Sequence, residues 1–295
     1  MNRRMVFYIT GIVLIIEAIL MCISAAVALI YHEYFQFRAF AATILATAMI
    51  GFLLTRIKRK TTRIYAKEGL ITVAICWLVL SLIGCIPFII SKEIPSFIDA
   101  FFETVSGFTT TGASILTDVE AMSKSMLFWR SFTHWIGGMG VLVFAMAAVP
   151  LAGGGGNIHI LKAESPGYEA SKLVPDSKGT ALRLYEIYLA LTMIEIVVLI
   201  ILGNPVFDSV TLSLGTAGTG GFAVKNTSIA DYSSATQVTI SVFMALFGVN
   251  FSLAIVGNDL AAGRIVNDRS FRKRFDHELH RIHTRGEPVG NRFYT

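Results

Sequence analysis

The chain has 295 residues, of which 54% are hydrophobic and only 15% charged, with a mean hydropathy of +0.64. Soluble domains carry about 25% charged residues, so this balance speaks against a soluble fold and for a bilayer as solvent. The formal net charge of +5 follows the order of apolar segments along the chain, and no nucleic-acid patch is needed to explain it.

A bilayer core of about 30 Å requires about 20 apolar residues of helix. In chain order, the qualifying stretches are 6–30, 37–54, 70–90, 126–149, 184–202 and 238–256. A soluble core can hide one such stretch, not six. The first follows Met1-Asn2-Arg3-Arg4 and superficially resembles a signal peptide. It is too long for an h-region and is not closed by a clean cleavage site, so a retained helix is expected. The second is the shortest and contains Arg38. Two further stretches, 99–114 and 208–222, are too short and too rich in Gly and Thr to span. Cys22, Cys76 and Cys85 all lie inside apolar runs without metal-ligand spacing, which points to packing. The expected organisation is a two-helix extension (1–68), a first helix–pore–helix repeat (69–152), a cytoplasmic connector (153–183), a second repeat (184–257) and a polar basic tail (258–295).

Orientation follows Lys and Arg. With the N-terminus inside, the cytoplasmic segments hold Arg3 and Arg4, six residues in 56–67, four in 162–183 and eight from Arg264 onward, 20 of the 25. Arg38, Lys92, Lys124, Arg130 and Lys225 fall on the outer side or its borders. This threading places both short stretches on the outer face.

The two short stretches are copies of each other at an offset of 109. Asp99 aligns with Asp208, Ser106 with Gly215, Thr110 with Thr219 and Gly112 with Gly221, and each copy follows a proline, Pro95 or Pro205. Asp99 and Asp208 suit the N-caps of short helices. Each helix is expected to stop at the turn Thr109-Thr110-Thr111-Gly112-Ala113-Ser114 or Gly218-Thr219-Gly220-Gly221-Phe222. Non-helical backbone at membrane depth is tolerated where it is buried in protein or lines a water-filled cavity. A helix entering from outside turns its negative end toward the membrane centre, which favours cations. Glycine permits backbone angles that align carbonyls, and threonine adds a hydroxyl acceptor. Such oxygens can replace the hydration shell of a monovalent cation. The alternative is a Gly/Thr packing turn between helices.

The run Phe101-Phe102-Glu103-Thr104-Val105-Ser106-Gly107-Phe108-Thr109-Thr110-Thr111-Gly112-Ala113-Ser114 resembles the first pore loop of Trk-type potassium uptake proteins, of the Trk/Ktr/HKT superfamily. Trp129-Arg130-Ser131-Phe132-Thr133-His134-Trp135-Ile136-Gly137-Gly138-Met139-Gly140 resembles the start of the following helix. Ile160-Leu161-Lys162-Ala163-Glu164-Ser165-Pro166-Gly167 resembles the connector, and Gly220-Gly221-Phe222 with Gly248-Val249-Asn250-Phe251 the second filter and inner helix. The resemblance covers about 70–253. It implies an all-α membrane protein of about six transmembrane helices plus two re-entrant pore half-helices. It also implies potassium uptake across the bacterial inner membrane, with K+ as transported ion and no organic cofactor. Filter residues would be Thr110, Thr111, Gly112, Ala113, Thr219, Gly220, Gly221 and Phe222. The carbonyls of Thr110, Thr111, Gly112, Gly220 and Gly221 would be K+ ligands. Members fold four such repeats around one pore, form dimers, and in bacteria pair with a cytoplasmic nucleotide-binding regulatory ring. Two repeats imply a truncated or split chain, or a homodimer or complementary chain that supplies the other two. A non-conducting assembly subunit is the alternative.

Ionisable residues inside spans are functional candidates by default, here Glu17, Arg130, His134, Glu186 and Glu195. Arg130 and His134, one turn apart, are expected to brace the filter, and Glu186 to reach the interface. Glu103 is expected either to enrich cations at the outer mouth or to brace the loop. Gly153-Gly154-Gly155-Gly156 lacks the lysine and serine or threonine of a phosphate loop and fits a linker. Gly137, Gly138 and Gly140 fit close helix packing. An intramembrane serine protease using Ser114 and His134 is a remote alternative, because the second copy has no matching serine. The expected partners are therefore membrane lipid and further protein, not nucleic acid.

Overall fold

The structure, a computed structural model, describes residues 3–57, 66–140 and 177–248. Among these residues every regular element is helical. Helices α1 (Arg3–Ile30) and α2 (Tyr34–Thr55) form an antiparallel hairpin from the first two apolar stretches. They cross at Gly11 and Gly51, where a Cβ on either residue would stand 2.8 Å from the carbonyl oxygen of the other. Small residues of this kind let membrane helices approach closely.

The third expected span is two helices, α3 (Ala66–Gly84) and α4 (Ile86–Ile90), broken at Cys85. Pro87, near the start of α4, has no N–H to donate and its ring clashes with the carbonyl four residues back. The Gly84 carbonyl at the break is satisfied by the Trp129 indole N–H at 2.9 Å.

The two short stretches form α5 (Phe97–Phe108) and α8 (Val206–Ala217), each of 12 residues. At 1.5 Å per residue each reaches about 18 Å, too little to cross a bilayer. The expectation that Asp99 and Asp208 are N-caps is corrected. Both helices start earlier, at Ser96 and Pro205, and both aspartates sit third in the first turn. On α5 the Ser96 side chain takes the cap, accepting from the Asp99 amide, so the carboxylate falls inside the first turn. A carboxylate in the first turn still favours the helix dipole.

Helix α6 (Lys124–Met139) leads back from the first loop and ends on Gly140 at φ 72°. Helices α7 (Ser177–Ile201) and α9 (Ser234–Gly248) flank α8. The remainder of the expected span 126–149 beyond residue 140, the glycine run 153–156, the connector up to residue 176 and the tail 258–295 lie outside the described residues. So does the end of the span 238–256.

Three described segments, Arg3–Ile30, Tyr34–Thr55 and Gly69–Ile90, are long and apolar enough to cross a membrane. Large apolar side chains face outward, among them Leu45, Ile98 and Ile201, while Glu17, Glu103, Arg130, His134 and Glu195 are buried. That inversion of the soluble pattern is the one a lipid environment requires. The chain is an all-α membrane protein. At its centre stands α6, whose Trp129 ring packs 6.3 Å from Phe40 of α2 and 6.3 Å from Phe108 of α5.

Candidate functional site

Both 12-residue helices, α5 and α8, end in loops with left-handed residues at matching positions. After α5, Thr110 has φ 54° and Gly112 φ 77°; after α8, Thr219 has φ 57° and Gly221 φ 82°. The left-handed residues thus recur at the same two positions 109 apart, alternating with Thr111 and Gly220, which do not share that conformation. A left-handed threonine costs about 1–2 kcal/mol. The turns hold it in place: the Thr110 and Thr111 amides donate to Gly107 and Ser106 at 3.0 and 2.9 Å, and the Thr219 amide to Thr216 at 2.7 Å. Alternating handedness breaks the side-to-side alternation of carbonyls in an extended strand, as an oxygen-lined path requires.

The two loops touch at their glycines. A Cβ on Gly112 would overlap the Gly220 carbonyl oxygen, and one on Gly220 would overlap the His134 ring and stand 2.9 Å from the Thr110 carbonyl oxygen. Gly221 differs from its counterpart: among the described residues, a Cβ there would meet only the Met244 methyl, at 3.9 Å. The first loop is covered by the second, and among the described residues that side of the second loop stands open.

Beneath the loops lies a buried charge network. Glu103, on α5, accepts from the Ser114 hydroxyl at 3.0 and 3.1 Å, from the Ile115 amide at 3.0 Å and from Arg130 Nε at 2.5 Å. Arg130 Nη1 donates to the Ala223 carbonyl at 3.0 Å, and its guanidinium stands 3.6 Å over the Phe222 ring. The His134 ring stacks on Phe222 at 3.9 Å. Arg130 and His134 therefore sit on the inner helix of the first repeat and grip the loop of the second. Glu103 is 1% exposed and held by three donors. Its bonds engage the Ser114 hydroxyl, so no serine–histidine pair forms there. Gly137 and Gly138 bring α6 against the Phe108 carbonyl and the Tyr188 hydroxyl.

Asn226, beyond the second loop, clasps the segment after the first loop. Its Oδ1 accepts from the Val119 amide at 2.7 Å, its Nδ2 donates to Asp118 at 2.9 Å, and its own amide donates to Glu120 at 3.1 Å. The hydrogen bond from Asn226 holds the Asp118 carboxyl below the usual carboxylate range. Burial, with the hydrogen bond to Asp208, pushes the Tyr232 phenol up. Sequence reasoning missed Asn226, because nothing in its spacing separates it from an ordinary loop asparagine. The remaining candidates are scattered. Glu17 is buried on α1 near the α3–α4 break, Glu195 is buried on α7, and Glu186 is exposed.

A sequence profile of the TrkH family, described as cation transport protein, matches residues 34–274. The Trk system potassium uptake protein TrkH of Salmonella typhimurium is 36% identical over 257 residues, covering 86% of this chain and 53% of that protein. Its counterpart from Halomonas elongata is 32% identical over 262 residues, covering 87% of this chain and 54% of that protein. The crystal structure of the potassium transporter TrkH from Vibrio parahaemolyticus superposes with a TM-score of 0.73 at 30% identity, over 92% of this chain and 56% of that one. The chain thus spans about half the length of the relatives it matches. By its matched residues, its helices and its paired loops, the chain belongs to the TrkH family of cation transport proteins.

Proposed function

We propose that the chain contributes two of the pore loops of a potassium uptake protein of the bacterial inner membrane, N-terminus in the cytoplasm. Loops 110–113 and 219–222 select the ion, and the carbonyls of Thr110, Thr111, Gly112, Gly220 and Gly221 replace part of its hydration shell. The observation that carries this reading is the identical placement of left-handed residues in both loops, with one loop's glycine seated on the carbonyl of the other. Arg130, His134 and Glu103 hold the loops from behind. K+ is the transported substrate, and no organic cofactor is involved.

Selection around a single axis needs the open side of Gly221 covered. A second copy of this chain, or a complementary chain with two more repeats, covers it, and a nucleotide-binding ring on the cytoplasmic side regulates the assembly. The same open side supports a second reading, an assembly subunit that conducts only when joined to its partner.

Rubidium uptake by potassium-transport-deficient bacteria expressing the chain tests the filter. Gly112→Ser is expected to abolish uptake, because the position combines φ 77° with overlap of the Gly220 carbonyl. Gly221→Ser is expected to fold more nearly normally, bearing mainly the backbone strain of about 1–2 kcal/mol, and to lose K+ over Na+ preference. Unchanged uptake and preference in both variants would refute the filter assignment.

A further inference from the structure

The outer end of α6 is capped by carboxylates that belong to other parts of the chain. Ser123 stands at its N-cap with extended backbone (φ −64°, ψ 154°), yet its hydroxyl makes no hydrogen bond. The first turn has no acidic residue and opens with Lys124, whose charge the positive helix end disfavours. Left alone, the opening N–H groups would be orphans. Glu33 accepts from the Lys124 amide at 2.7 Å, the Ser125 amide at 2.9 Å and the Ser125 hydroxyl. Glu93 accepts from the Ser123 amide at 3.0 Å and from the Gln36 side chain at 3.0 Å. Three consecutive amides, 123 to 125, are thus satisfied by two distant glutamates.

Both glutamates arrive by the same device. Beyond α1, His32 takes φ 59°, and beyond α4, Lys92 takes φ 61°; in each case the next residue is the capping glutamate. The turns close with the His32 and Glu33 amides donating to Leu29 and Ala28 at 3.2 and 2.8 Å, and with Lys92 and Ile94 donating to Ile89 and Phe88 at 3.1 and 3.2 Å. Left-handed conformations at non-glycine residues are strained and persist only where the surroundings hold them. Two of them deliver carboxylates to one helix end.

That helix end leads to the filter. Arg130 lies six residues along α6 and His134 ten, about 9 and 15 Å at 1.5 Å per residue. These are the side chains against Phe222 and Ala223 of the second loop. The same corner touches the second pore helix directly. The Lys124 ammonium stands 4.6 Å over the Phe207 ring, and the Tyr31 ring lies 5.5 Å from it.

We propose that Glu33 and Glu93 are positioning residues: they fix the outer end of α6 so that Arg130 and His134 hold the second loop at its selective geometry. This assigns the N-terminal hairpin a role in ion selection, and it rests on the reading of 219–222 as filter. The experiment uses the full chain in lipid nanodiscs and takes two measurements on wild type, Glu33→Ala, Glu33→Gln and Glu93→Gln. One is backbone hydrogen exchange in segments 124–134 and 219–224. The other is thermal stabilisation by potassium chloride relative to sodium chloride at equal concentration.

Glu33→Ala is expected to speed exchange at least tenfold at 124–127 and several-fold at 219–224, and to reduce the potassium-over-sodium difference by half or more. Glu33→Gln keeps one acceptor and is expected to fall between Glu33→Ala and wild type; if Glu33→Ala does not fold, Glu33→Gln and Glu93→Gln carry the measurement. Faster exchange confined to 124–127, with 219–224 unchanged, would overturn the proposal by reducing the glutamates to a local cap. If wild type shows no potassium preference, the filter reading fails on its own, and exchange at 219–224 still decides whether the hairpin holds that loop.

Discussion

Arg130 joins three pieces of the molecule: Glu103 on the first pore helix, the Ala223 carbonyl, and the face of Phe222. Both charges are buried, so removing one leaves the other without compensation, a loss of about 3–5 kcal/mol. Arg130→Met is expected to lower the unfolding midpoint in detergent accordingly. The double variant Arg130→Met, Glu103→Gln should cost less than the sum of the two single changes, because the partners share one interaction. Asp118 gives a different, pH-dependent signature at the surface. Its folded pKa is depressed by the Asn226 hydrogen bond, so its contribution is complete above the unfolded value of about 3.9 and is lost as pH falls through the lower folded value. Unfolding midpoints between pH 5 and pH 3 should therefore fall more steeply in wild type than in Asn226→Ala. Equal slopes would show that the clasp is not coupled to folding. Arg130 and His134 stood out as candidates in the sequence because ionisable groups in an apolar span demand explanation. Their partner loop was not, since Phe222 lies 92 residues beyond Arg130 in the chain.

Helices form here where apolar length and punctuation agree, and they break where backbone chemistry intervenes. The third span looks continuous by hydropathy, but Pro87 divides it. The break persists because the Trp129 indole satisfies the Gly84 carbonyl. Trp129→Phe keeps the ring and removes the donor, leaving that carbonyl buried and unpaired at a cost of about 1–3 kcal/mol. A thermal midpoint unchanged from wild type would mean that the break needs no such support. The two 12-residue helices show the opposite balance. Their lengths and their common offset were readable, whereas their starts shifted upstream because Ser96 and Pro205, not the aspartates, occupy the N-cap positions. The cap on α6 was unreadable locally, as Ser123 is a standard N-cap residue and two glutamates from elsewhere take its place.

At the scale of the molecule, the first loop presents Gly112 to the carbonyl of Gly220, and among the described residues the second leaves Gly221 uncovered. Such an interface is head-to-tail: the surface each repeat offers differs from the surface it accepts, so contacts continue until a ring closes. Ion-conducting preparations are therefore expected to contain at least two copies of the chain or a second polypeptide. Mass measurement of the active species in nanodiscs checks this, and uptake by a strict monomer would rule it out. Sequence alone determined the membrane class and the two matching turns at a common offset, because hydropathy and spacing are one-dimensional quantities written along the chain. Only the tertiary structure decided that α6 grips the loop after α8, that distant carboxylates cap α6, and that among the described residues Gly112 is covered while Gly221 is open. Those facts depend on which surfaces meet across sequence separations from 30 residues to more than 100, and no local pattern encodes them.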